Sequence, residues 1–395
     1  MSDESIVIVG ASRTPMGAML GSLSSLKATE LGATAIRGAI DKAGIEADKI
    51  DSAIMGCVLS AGLGQAPARQ AALGAKLSEN TSSATVNKMC GSGMQSIIQS
   101  HDSIQSGSHQ IVVAGGLESM SNAPYLISKA RHGYRLGHGE IKDHMFLDGL
   151  EDAYDEGTLM GKFADEAAER YQFTREEQDE FAIESVKRAQ NAIENNTFDD
   201  EISPVSVISR KSKTIVETDE LPGKARIDKI PELRPAFSKN GTVTAANASS
   251  ISDGAAAVIL MRESEAEELA LKPIARILGH STHAQKPSEF TSAPVGAIGN
   301  LFEKINMNIN DFDIFEINEA FAVVTMIAMK ELGISHSKVN IYGGACALGH
   351  PIGASGARII VTLLNALKKE DKRTGLASLC IGGGEATAIA LERIS

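Results

Sequence analysis

The 395-residue chain predicts an α/β protein built from two similar halves, with a long segment inserted into the first. Three observations carry that reading. Short apolar runs rich in Ile and Val alternate with stretches of helical periodicity, which is the pattern of strands covered by helices. A stretch near the start recurs near the end. Between the copies lie residues 119–241, which have no counterpart in the second copy.

The runs "IVIVGA", "IVVAGG" and "ASLCIGGG" read as buried strands, and the alternation predicts a mostly parallel sheet. Apolar residues at Ile97, Ile98 and Ile104, with His101 on the same face, mark one helix. Ile359, Ile360, Leu363, Leu364 and Leu367 mark another. In the repeat, "LGATAIRGAIDKAGIEADKIDSAIMGCV" matches "APVGAIGNLFEKINMNINDFDIFEINEA", and "VNKMCGSGMQSI" matches "IGASGARII" with its flanks, so Asp313 falls on Asp51 and Ser355 on Ser92. A period this long excludes a solenoid. The expected organisation is a first half over 1–118, to which 242–271 return, a loop domain over 119–241, and a second half over 272–395. Inside the insertion, Thr174 with Glu177 three residues later opens "FTREEQDEFAIESVKRAQNAI" as a capped helix.

Composition narrows the class. With 43% hydrophobic and 22% charged residues, 37 Gly and no Trp, the chain resembles an ordinary globular protein with many tight turns. A net charge of −12 argues against a nucleic-acid surface. "MSDESIVIVG" lacks the basic start of a secretory signal, and no apolar segment is long enough to span a bilayer. Four cysteines, Cys57, Cys90, Cys346 and Cys380, cannot build a dense disulfide framework, so a reducing cytoplasmic compartment is expected. One stretch opposes the overall balance: residues 203–240 hold eight Lys/Arg, Arg210 and Lys211 among them, against five Asp/Glu. Such a stretch suits either a solvated loop surface or a small phosphorylated ligand.

A lone cysteine is most often a packing residue. Cys90, His350 and Cys380, however, all lie among glycines at the ends of strand-like runs, where backbone can approach a ligand and where α/β folds place their sites. With "NEAFA" at 318–322 they form a pattern that resembles the thiolase family. The resemblance runs through the whole chain: "GASRTPMGAMLGSL", "VNKMCGSGMQS", "AGGLESMS", "LRPAF", "GTVTAANASSISDGAAAV", "GGACALGHPIGASGARI" and "CIGGGEA" occur in order.

The resemblance implies a layered αβαβα fold and a reversible Claisen condensation of two acetyl-CoA through an acyl-cysteine, with thiolysis of longer 3-ketoacyl-CoA as the alternative. It implies Cys90 as nucleophile, His350 as the base that takes its proton, and Cys380 as the acid/base at the substrate α-carbon. Negative oxygen is assigned to His350 with a water on Asn318, and to the N–H groups of Cys90 and Gly382, where a larger side chain is expected to obstruct. The start of a helix after Cys90 is expected to favour its thiolate. CoA contacts are implied for Tyr154, Arg226, Ile227, Asp228, Lys229 and Ser249, and the acyl pocket for Met160 and Phe290. "TLMG" places Leu159 where many relatives have histidine, and Phe290 stands where many have methionine, which reshapes the pocket. No resident cofactor is required, since CoA and its thioesters are substrates. A potassium ion held by Tyr154, Ala245, Ala246, Ala248 and Cys346 is an expectation carried over from 2-methyl-tolerant relatives, and the family resemblance implies a homotetramer built on a tight dimer.

Overall fold

The computed structural model describes residues 4–208 and 212–394; Arg210 and Lys211 of the basic stretch lie outside them. The first half runs β1 (Ile6–Arg13), β2 (Gly17–Ala18), α1 (Ala28–Ala43), β3 (Ser52–Gly56), α2 (Pro67–Gly74), β4 (Ser82–Val86), α3 (Ser92–Gln105) and β5 (Val112–Ser119). The insertion holds two small hairpins, β6 (Tyr125–Ile127) with β7 (Ile141–Asp143) and β8 (Val205–Ile208) with β9 (Lys213–Val216), and helices α4 (Met160–Tyr171) and α5 (Arg175–Glu194). The chain then supplies β10 (Ser252–Arg262) and α6 (Glu263–Glu268). The second half follows with β11 (Ala275–Ala284), α7 (Ala293–Ile305), β12 (Ile314–Ile317), α8 (Ala322–Leu332), α9 (Ala345–Leu348), α10 (Ser355–Lys369), β13 (Thr374–Ile381) and β14 (Glu385–Arg393).

The main strands follow the order β12-β13-β14-β11-β1-β10-β5-β3-β4. Strands β3, β4 and β5 are parallel, as are β12 and β13, while β1, β10, β11 and β14 run antiparallel to their neighbours. The expected mostly parallel sheet is therefore corrected to a mixed one. The reason lies in the connections: Gly382–Gly384 between β13 and β14 are too few for a crossover, so the second strand must return antiparallel. The two halves meet along β1 and β11 through only two residue pairs, Val7 with Arg276 and Ile8 with Ala275.

Layers follow from burial. Helices α1 and α2 cover one face of the first half through a core that includes Leu31, Ile36 and Ile40, and α7 covers the second through Ile298 and Leu301. Helices α3 and α10 lie between the halves, with Met94, Ile97, Ile360 and Leu363 in one shared core. The result is the αβαβα arrangement expected. The two middle helices touch through bare backbone: a Cβ on Gly93 would lie 2.8 Å from Ala357 N, and one on Gly356 would lie 2.5 Å from Met94 N.

The repeat is visible in hydrogen bonds as well as in sequence. The Asp51 carboxylate accepts the Gln110 N–H ahead of β5, and the Asp313 carboxylate accepts those of Arg373 and Thr374 at the start of β13. Ser92 and Ser355 each open a middle helix and donate to a carbonyl of the preceding turn, at Met89 and Pro351. In the insertion, Thr174 and Glu177 form the expected reciprocal cap on α5. No helix among the described residues is long and apolar enough to cross a membrane.

Candidate active site

The chain turns from β4 into α3 through Met89, whose φ of +47° is left-handed without being glycine. Such a conformation costs about 1–2 kcal/mol and is held here by an Asn87 side chain accepting the Met89 N–H and by Ser92, whose N–H and hydroxyl both donate to the Met89 carbonyl. The turn presents Cys90 ahead of the helix. Gly91 sits tightly beside it: a Cβ there would lie 2.3 Å from the end of the Ile381 side chain, which would have to move.

His350 lies in the equivalent turn of the second half, held by its N–H to the Ser250 carbonyl. Its imidazole is 6% exposed, with Nδ1 2.6 Å from Ser355 Oγ. The Pro351 carbonyl, which can only accept, lies 3.0 Å from the same hydroxyl; placing the single hydroxyl proton there satisfies both contacts, with Ser355 accepting from Nδ1–H. This assigns the tautomer: Nε2 carries the lone pair, and it is buried without a partner. Burial, with Arg358 nearby, drives the imidazole pKa down to about 3, so the ring is neutral.

Cys380 is the penultimate residue of β13, 1% exposed among Phe163, Phe290 and Phe321. Burial pushes its thiol well up, and the neighbouring Cys90 adds to that. Burial also pushes Cys90 up to about 11, although the Gly382 N–H and its own N–H point at the sulfur. The expected lowering by the helix start is thus outweighed by desolvation, and the resting pair is thiol and neutral imidazole. Gly382 itself leaves room: a Cβ would meet only Met160 and Met89 side chains, at 3.8 and 3.9 Å. The demand for glycine falls on the next two residues, with φ of +93° and +86°.

Cys90, His350, Cys380 and Gly382 line one mainly apolar cavity of about 710 Å³, together with Tyr154, Met160, Ser249 and Phe290. Leu159, Ala245 and Ala248 line it too. Phe290 packs edge-on to Phe321 at 6.2 Å, and Phe237 does so at 5.9 Å, forming an aromatic wall. Arg226, Ile227, Asp228 and Lys229 do not line the cavity. Ile227 packs against the α5 core, Lys229 pairs with Glu232 at 3.1 Å, and Lys224 pairs with Glu220, so part of the basic stretch is neutralised locally. Ala246 and Cys346 are also outside the lining; the Cys346 thiol donates to the Glu319 carbonyl.

Asn318 is 1% exposed with both amide atoms unpartnered. The next residue explains its placement: the buried Glu319 carboxylate accepts from Ser185, Asn340 and the Cys346 N–H, fixing the turn. Sequence reasoning missed Glu118, which accepts the N–H groups of Val58, Leu59 and Gly353 and so ties the His350 turn to the first half. Burial raises this carboxyl to about 7, against those three donors. "GGLES" carried it as a motif without a role, and Ser355 was visible only as the repeat partner of Ser92.

A half-buried and a buried thiol sharing a cavity with an unprotonated imidazole nitrogen, on a duplicated αβαβα fold, define a thiol-dependent acyl-transfer enzyme. The chain belongs to the thiolase family: residues 6–264 match the model "Thiolase, N-terminal domain" and residues 271–393 match "Thiolase, C-terminal domain". It is 50% identical to "Probable acetyl-CoA acetyltransferase" of Dictyostelium discoideum over 99% of this chain and 94% of that protein. It is 48% identical to "Acetyl-CoA acetyltransferase" of Escherichia coli over 98% and 99%. The crystal structure of Acat5 thiolase from Ascaris suum in complex with coenzyme A superposes with a TM-score of 0.94 at 40% identity, covering 99% of this chain and 100% of that one.

Proposed function

We propose that the protein is an acetyl-CoA C-acetyltransferase that reversibly condenses two acetyl-CoA into acetoacetyl-CoA and CoA through acetyl-Cys90. The carrying observation is the convergence of Cys90, Cys380 and the unpartnered Nε2 of His350 on one cavity, with the Gly382 N–H at the Cys90 sulfur. His350 Nε2 takes the Cys90 proton as the sulfur attacks the acetyl carbonyl. The CoA thiolate leaves with the Cys380 proton. Cys380, now a thiolate, removes an α-proton from the second acetyl-CoA, and the resulting carbanion attacks acetyl-Cys90. The Cys90 sulfur departs and recovers its proton from His350. The N–H groups of Cys90 and Gly382 support the oxyanion at the acylated sulfur. The buried, unpaired Asn318 amide, with His350 Nε2, supports the enolate oxygen through a water.

Short substrates are favoured over the longer 3-ketoacyl-CoA of the alternative reading, because Phe290 and Phe321 close the cavity beside Cys380. The relatives' names point the same way. The test is steady-state thiolysis of acetoacetyl-CoA beside a medium-chain 3-ketoacyl-CoA, in wild type, Cys90→Ala and Phe290→Ala. The reading expects preference for acetoacetyl-CoA, no turnover in Cys90→Ala, and a preference moved toward the longer chain in Phe290→Ala. Comparable wild-type rates on both substrates would replace it with the broad thiolase.

We assign the nucleotide end of CoA to the Arg226–Lys229 segment, where Arg226, Asp228 and Lys229 are exposed, and its pantetheine arm to Ser249 on the cavity lining. A potassium site on Tyr154, Ala245, Ala246, Ala248 and Cys346 is part of this reading, and of these Tyr154, Ala245 and Ala248 line the cavity; equal rates in sodium and potassium buffers would remove it. A homotetramer is supported by the exposed apolar residues Tyr125, Ile127 and Ile141 on the β6–β7 hairpin, and mass photometry decides it. Four free cysteines, two of them required as thiols, support a cytoplasmic setting.

A further inference from the structure

Helix α3 follows Cys90 at one end and carries His101 and Asp102 near the other. There it meets His280 of β11, the first strand of the second half. His101 Nδ1 lies 3.0 Å from Asp102 Oδ1, and His280 Nε2 lies 2.9 Å from the same oxygen. The two rings stand edge to face with centroids 4.9 Å apart, and one ligand atom from each of the three residues lies within 4.8 Å of the other two. His280 is 9% exposed, whereas the Asp102 side chain is 59% exposed, so the cluster has a rigid floor and an open entrance.

We propose that His101, Asp102 and His280 form a binding site for a divalent transition-metal ion of the zinc class. Two imidazoles and one carboxylate suit zinc, cobalt or nickel, whereas magnesium and calcium call for oxygen ligands. Water supplies the fourth ligand from the open side. At bond lengths of about 2.0–2.2 Å, tetrahedral ligand atoms stand roughly 3.3 Å apart, so each ring nitrogen withdraws slightly from Asp102 while the two nitrogens, within 4.8 Å of each other, close toward that spacing to admit the ion. Opposing it is Lys304, whose ammonium donates to the His280 carbonyl; the Asp102 charge offsets that cation.

The site is remote from the thiols, and its consequence is structural. Asp102 and His101 belong to the first half and His280 to the second, where β1 and β11 share only two residue pairs. A bound ion clips the halves together beside that short seam, and an ion that binds only the folded chain raises its stability.

The test titrates chelator-treated full-length protein with cobalt(II), followed by its visible absorption, and with zinc(II) by calorimetry and thermal unfolding. Expected are one high-affinity ion per chain with the spectrum of nitrogen and oxygen ligands, and a zinc-dependent rise in Tm. His101→Ala and Asp102→Asn each weaken binding at least about tenfold and abolish the Tm rise. The exposed Asp102→Asn, whose thiolysis of acetoacetyl-CoA remains that of wild type, keeps the test decisive where His280→Asn fails to fold. Equal affinity in wild type and both variants, or a thiolate-to-cobalt charge-transfer band as the only signal, overturns the proposal. The first outcome places the ion elsewhere, and the second places it on the cysteines.

Discussion

Ser355→Ala isolates the tautomer that makes His350 a base. The hydroxyl lies 2.6 Å from Nδ1 and is wholly buried, so no water replaces it when it is removed. In the resting enzyme the loss strands one N–H, a cost of about 1–3 kcal/mol. Once the Cys90 proton reaches Nε2 the ring is an imidazolium, and a hydrogen bond to a charged group is worth about 1.5–3 kcal/mol. The barrier rises only by the difference between the charged and the neutral bond, about 1–1.5 kcal/mol, so at 1.4 kcal/mol per tenfold the step that forms the imidazolium should slow by roughly five- to tenfold. Two assays read this: kcat for acetoacetyl-CoA thiolysis, and the rate of Cys90 alkylation by iodoacetamide at neutral pH, which reports thiolate formation without substrate. Both should fall together, with KM changed little. A Ser355→Ala enzyme that is folded yet alkylated and turned over within about twofold of wild type, a difference of only about 0.4 kcal/mol, would refute the tautomer argument.

The depressed His350 pKa also makes a pH prediction. The folded state keeps this ring neutral down to about 3, while the unfolded chain protonates it near 6.5, so its contribution to stability is lost as pH falls below about 6.5. Urea midpoints of wild type and His350→Asn should therefore converge on acidification, at up to about 1.4 kcal/mol per pH unit; parallel curves would contradict it. Glu118→Ala strands the N–H groups of Val58, Leu59 and Gly353, and should cost about 3 kcal/mol or more, with Glu118→Gln recovering part of it in the same melts. Gly93→Ala drives a Cβ to within 2.8 Å of Ala357 N and 3.1 Å of the Gly353 carbonyl, so it should lower stability by about 1–3 kcal/mol and lower kcat, since both reacting turns ride on that contact. An unchanged Tm would show that α3 and α10 can part freely.

Much of this was legible from the chain. The repeat placed Asp51 against Asp313 and Ser92 against Ser355, and both pairs make equivalent bonds. Cys90, His350 and Cys380 stood out through their glycine-rich surroundings. Strand direction did not, because the buried runs of β1, β10 and β14 are apolar on both faces whichever way they point. Glu118 was illegible for another reason: its bond to the Gly353 N–H spans 235 residues, and no local pattern encodes such a partner. That burial outweighs the helix start at Cys90 was illegible, because helix proximity is visible in a sequence and desolvation is not.

The duplicated turn has a further consequence. With Ser92 set on Ser355, Cys90 falls on Gly353 and His350 on Asn87, so the two copies contribute different halves of a single reaction. Space enforces that specialisation. A Cβ on Gly353 would lie 2.6 Å from a Glu118 oxygen and 3.0 Å from Cys57 Cα, which leaves no berth for a second nucleophile on the mirrored corner. The molecule is thus a dimer of unequal partners fused into one polypeptide, with one reaction centre for every two copies of its building block, and its asymmetry is written in the room left around a single glycine.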